Sequence, residues 1–92
     1  MKTNVKRWAV IFRCLANVNR LKIIAMLFSG QAMNVGEITA DLGISFKATS
    51  NHLAILKNLN VLESQGIAGH VLYVIHSELA PDFHRAINLL LK

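Results

Sequence analysis

The stretch Asn34-Val35-Gly36-Glu37-Ile38-Thr39-Ala40-Asp41-Leu42-Gly43-Ile44-Ser45 decides the fold. Asn34 is a good helix N-cap, and Glu37, three positions on, is its capping-box partner. Val35, Ile38 and Leu42 give the short helix that follows an apolar stripe. Gly43 can take the left-handed conformation that ends a helix, and Ser45 can cap the next. Ile44 is apolar within a three-residue turn and is expected to plug the angle between the two helices. A short helix, a glycine turn and a longer helix make a helix-turn-helix, here at about 34–59.

Working outward, the longer helix is expected from Phe46 to Leu59, with Thr49, Leu53, Leu56 and Leu59 inward. Its opposite stripe is Lys47, Ser50, Asn51, Ala54 and Asn58, which holds one base and no acid. Such a face approaches a polyanion without repulsion. Ser and Asn can hydrogen-bond base edges, and Lys can reach phosphate or guanine. Upstream, Trp8, Ile11, Phe12 and Leu15 recur at helical spacing in a helix of about 5–16. Asn19 is the expected N-cap of a second helix that buries Leu21, Ile24, Ala25 and Phe28 and ends at Gly30. Downstream, Val61–Gln65 and Val71–Ile75 read as strands, with Gly66–Gly69 as the tip of a hairpin wing spanning about 61–76. Pro81 suits the first turn of a last helix, about 80–91, whose apolar face is Phe83, Ile87, Leu90 and Leu91.

This order makes residues 1–92 one mainly α (α+β) winged-helix domain, and 92 residues leave no room for a second. A chain 53% hydrophobic and 16% charged is not disordered. A single cysteine, Cys14, excludes an internal disulfide and an all-cysteine metal cluster within one chain. Leu21 to Phe28 carries Lys22 and is too short for a membrane span of about 20 residues. Polar interruptions at Arg13, Asn17, Asn19 and Arg20 speak against a signal peptide, so the cytoplasm is the expected compartment. The net charge is +5, and Lys2, Lys6, Arg7, Arg13, Arg20 and Lys22 all precede the first acid, Glu37. That imbalance points to nucleic acid or an anionic membrane surface, against the plain alternative of a solvated basic face. There is no phosphate loop, no carboxylate pair at useful spacing and no nucleophile–base set, so no enzyme is expected.

The residues go further than the element order. Cys14-Leu-Ala-Asn17-Val-Asn19-Arg20-Leu21-Lys-Ile-Ile24, the Asn34–Ser45 stretch, Ser50-Asn-His52-Leu53-Ala-Ile-Leu56-Lys-Asn-Leu59-Asn-Val-Leu62 and Val71-Leu-Tyr73-Val resemble, in order and spacing, the ArsR/SmtB family of winged helix-turn-helix regulators. The resemblance covers residues 12–76 and implies a repressor that binds duplex DNA at an imperfect palindrome. It also implies a homodimer built on the first and last helices, here carrying Trp8, Ile11, Phe12, Leu15, Phe83, Ile87, Leu90 and Leu91. DNA contacts are expected from Ser45, Phe46, Lys47, Ala48, Ser50, Asn51, His52 and Lys57, and from His70 at the wing. His52 stands at the family's recognition-helix histidine and reads equally as a DNA contact or a packing residue. Residues 64–69 carry no charge, so the wing offers little to phosphate. The competing reading is a winged-helix protein–protein interaction module with that wing as its surface.

The family's usual effector is a metal, and here the chain departs from the pattern. Asn34 and Gly36 stand where a Cys-x-Cys pair would supply thiolates. Asp82-Phe83-His84 spells half of another family site, but lies later than the family places it and lacks the partner ligands before Lys92. No metal or other cofactor is expected. Cys14, between Arg13 and Arg20, reads as a small buried hydrophobe or as an intersubunit thiol sensor.

Overall fold

The computed structural model describes residues 4–91. Five helices and one hairpin follow in the order α1 (Val5–Leu15), α2 (Val18–Leu27), α3 (Val35–Leu42), α4 (Phe46–Asn58), β1 (Leu62–Ile67), β2 (His70–Ile75) and α5 (Pro81–Leu90).

The helix-turn-helix forms for the local reasons expected. Asn34 Oδ1 accepts the Glu37 N–H at 2.8 Å, and Glu37 Oε1 accepts the Asn34 N–H at 2.9 Å. Two N–H groups at the start of α3 are thereby satisfied reciprocally. Gly43 sits at φ +68° and donates its N–H to the Thr39 carbonyl, closing α3. Ser45 Oγ then accepts the Ala48 N–H at 3.0 Å to open α4. Among the described residues Thr49 is the one polar residue buried in the core, and its hydroxyl donates to the Ser45 carbonyl at 3.0 Å. It is therefore buried without an orphaned hydroxyl.

Two elements differ from expectation. α2 is capped by Asn17, not Asn19. The Asn17 carboxamide oxygen accepts from the N–H groups of both Asn19 and Arg20, which places Asn19 inside the first turn. The buried face is therefore Ile23, Ile24 and Leu27, while Ala25 is exposed. Gly30, at φ +93°, lies beyond the cap residue Phe28. The hairpin turn of the wing is tighter than expected. Gly66 and Ile67 belong to β1, because the turn uses only Ala68 and Gly69, both at positive φ. Positive φ at both central residues is the signature of the tight I′ hairpin turn. Met33 also pairs with Tyr73 through two backbone hydrogen bonds of 3.1 and 2.7 Å. That bridge ties the wing to the segment entering α3.

The core draws on every helix and on β1. It includes Ile11, Ile24, Ile38, Leu53, Leu62 and Phe83, each no more than 1% exposed. This corrects part of the expected dimer seam. Ile11, Phe83 and Ile87 are buried within the chain and have no surface to offer a partner. The reason is packing: α1 and α5 both lie on α2, so their strongest apolar stripes serve the chain's own core. Trp8 and Leu15 are half-buried, while Phe12, Leu90 and Leu91 remain exposed, joined by Val5 and Leu89.

Candidate nucleic-acid interface

α4 lies against α3 on one side and leaves the other to solvent. With 3.6 residues per turn, Thr49, Leu53 and Leu56 face the core. Lys47, Asn51, Ala54 and Asn58 form the outward row and are all exposed. α4 contains no acidic residue. Ser45 and Phe46 are exposed at its start, with Phe46 60% accessible. Ser50 and Lys57 flank the row on one side, and Ala48 and His52 on the other. The expected contact residues thus wrap three sides of the helix. His70 opens β2 and is exposed beside the turn.

The link that sequence did not show is Arg20. Its Nη1 lies 3.1 Å from His52 Nδ1, its Nε donates to the Cys14 carbonyl at 2.7 Å, and its Nη2 donates to the Arg13 carbonyl at 3.2 Å. One guanidinium therefore satisfies two carbonyls at the C-terminal end of α1 and touches the recognition helix. A guanidinium only donates, so Nδ1 of His52 is the acceptor and the ring proton sits on Nε2. Burial, and secondarily the charge of Arg20, hold the His52 imidazole below its ordinary pKa. The neutral ring is favoured, partly buried, with Nε2–H left to donate. The only sequence signal for this was an acid-free basic run containing Arg20.

Cys14 is 3% exposed. Burial pushes its thiol up, and Arg20 only partly opposes this, so the thiolate is disfavoured. Asp82 is committed elsewhere: Arg7 grips its carboxylate with two bonds of 2.8 and 3.1 Å, joining α1 to α5. The guanidinium also lies 5.2 Å from the Phe83 ring centroid. The hydrogen bond from Arg7, then the Phe83 N–H and the charge of Arg7, hold Asp82 below the usual carboxylate range. A depressed folded pKa contributes stability above the unfolded value and loses it as pH falls through the folded one. Asp82→Asn is therefore expected to unfold at lower denaturant than the parent at pH 7. The gap is expected to close as pH drops below about 4, read by urea titrations at both ends.

With the fold and this surface in place, comparison with known proteins is direct. Residues 17–64 match the bacterial regulatory protein, arsR family. The chain is 31% identical over 78 residues to the HTH-type transcriptional regulator YgaV of Escherichia coli K12, covering 85% of this chain and 79% of that protein. It is 32% identical over 77 residues to the transcriptional activator HlyU of Vibrio cholerae, covering 84% and 70%. A solved structure of HlyU from that organism superposes with a TM-score of 0.80 at 30% identity, over 98% of this chain and 94% of that one. A homodimeric winged helix-turn-helix DNA-binding domain from Mycobacterium bovis gives 0.75 at 25% identity, over 95% and 77%. The fold and surface are those of a winged helix-turn-helix transcriptional regulator. The chain belongs to the arsR family of bacterial regulatory proteins.

Proposed function

We propose that two copies of the chain bind an imperfect palindrome in duplex DNA and repress transcription by occupying the promoter. The observation that carries this reading is the outward row of α4, exposed, polar apart from the small Ala54, and without an acid. Phe46, Lys47, Ser50, Asn51 and Lys57 meet the major groove, His52 donates through Nε2, and His70 approaches the backbone from the wing. Val5, Phe12, Leu89, Leu90 and Leu91 form the two-fold seam, supported by their exposure on α1 and α5. Such a dimer sets two recognition helices about 34 Å apart, one turn of DNA.

Regulation proceeds without the family's thiolate metal site. Asn34 spends its carboxamide on capping α3 and Gly36 has no side chain; at the family's other site, Arg7 engages Asp82. The test is binding to DNA upstream of the chain's own gene across a salt series, with a promoter–reporter fusion for the sign of control. Affinity is expected to fall steeply with salt, and deletion of the gene to raise transcription. A flat salt response would instead favour a protein partner on the wing, where Ile67 and Val71 are exposed.

Within that assay, Lys47→Ala is expected to weaken all DNA sequences alike and to lower the salt slope by about one. Asn51→Ala is expected to relax preference at one base pair, by about 1–3 kcal/mol. Competition with single-base operator variants separates the two patterns.

A further inference from the structure

We propose that the cleft between α1, α2 and α4 binds a small organic anion, a carboxylate with a short apolar body, between Arg13, Arg20 and the Ile55–Leu59 wall. The cleft is open to solvent, has a volume of about 350 Å³ and is lined by Val10, Arg13, Cys14, Arg20, Ile55 and Leu59. Its walls are apolar except for the two guanidiniums. Neither arginine has a carboxylate partner among the described residues, whose one arginine ion pair is Arg7–Asp82. Arg20 donates only to neutral acceptors, the Arg13 and Cys14 carbonyls and the His52 ring. Its positive charge is left uncompensated. A carboxylate would add the opposite charge that these neutral acceptors do not supply, in a planar geometry that a guanidinium can grip with two bonds.

The apolar body has a matching place. Ile55 is 40% exposed and lines the cleft with the two arginines, so it offers apolar surface beside the charge. Leu59 and Val10 are half-buried on either side of it. The cleft is also distinct from the proposed seam. Val10, Arg13 and Cys14 share one side of α1, and Phe12 projects roughly the other way. Dimerisation through Phe12 therefore leaves the cleft open.

Occupancy has a consequence at α4. A carboxylate that draws Nη1 of Arg20 releases His52 Nδ1, freeing the ring that Arg20 held in one tautomer. The binding itself stands apart from the DNA reading; this consequence rests on it. The experiment uses hexanoate as the probe and hexanamide as its uncharged control, with methyl and amide NMR shifts of the full chain, first without DNA. Hexanoate is expected to give saturable shifts at Val10, Ile55 and Leu59, with hexanamide at least about tenfold weaker, the ratio for one lost charge-assisted bond. Arg13→Gln, at an exposed position, is expected to weaken hexanoate with no change in circular dichroism. Equal binding of acid and amide overturns the proposal, as does the absence of saturable shifts at those residues. If Arg13→Gln instead lowers DNA affinity while hexanoate shifts nothing, these arginines are phosphate contacts and the proposal fails. With binding established, hexanoate is expected to change the His52 ring nitrogen shifts and to lower operator affinity. Ring shifts that do not move under saturating hexanoate would overturn the link to α4.

Discussion

Phe12→Asp is expected to convert the proposed dimer to a monomer and to weaken operator binding on the order of a thousandfold, the lower end of the interval between specific and non-specific affinities. Phe12 is 61% exposed on α1, so the chain's own core does not hold it. Its aromatic neighbour among the described residues is Trp8, with ring centroids 5.5 Å apart, and losing that tilted contact costs about 1 kcal/mol within the protomer. In a two-fold seam the same change acts twice. Two carboxylates enter an apolar surface, each losing hydration and gaining no partner. Operator affinity depends on both half-sites being held by one rigid body, so a monomer keeps only half of the contacts. Sedimentation gives the association state, circular dichroism the fold, and a gel-shift titration the affinity. A Phe12→Asp chain that remains dimeric and binds the operator normally would remove α1 from the seam.

How far the sequence reaches follows from the range of each signal. The α3–α4 turn was legible because its determinants sit within three residues of one another: Asn34 with Glu37, Gly43 in the turn, Ser45 with Ala48. The α2 start was misplaced by two residues because Asn17 and Asn19 are both competent caps, and only the backbone shows which is extended. The tightness of the wing turn is hidden in the sequence because Ala68-Gly69 lacks the usual Asn-Gly turn signal. Met33 with Tyr73 and Arg20 with His52 are partners far apart in sequence. No periodicity announces such a pair. The acid-free face of α4 could be read from spacing alone, whereas the restraint on His52 could not.

The terminal helices show the same limit most sharply, and they supply the second large effect. An apolar stripe at i, i+4 says that a helix packs, not against what. Phe83 and Ile87 read as seam residues, yet they are 0% and 1% exposed within one chain. Phe83→Ala is therefore expected to destabilise the protomer by about 3–5 kcal/mol, through lost burial and the cavity left behind. That is a large share of the stability of a small domain. It also removes the ring beneath Arg7 and weakens the point where α1 meets α5. Dimer stability depends on protomer concentration, so the measurement belongs in the monomeric Phe12→Asp background. There, Phe83→Ala is expected to shift the urea midpoint strongly with the slope unchanged, while Phe83→Leu keeps most of the volume and loses less. A seam residue would behave in the opposite way, altering association and leaving the monomer midpoint alone. An unmoved midpoint would show that Phe83 packs across the two-fold rather than within the chain.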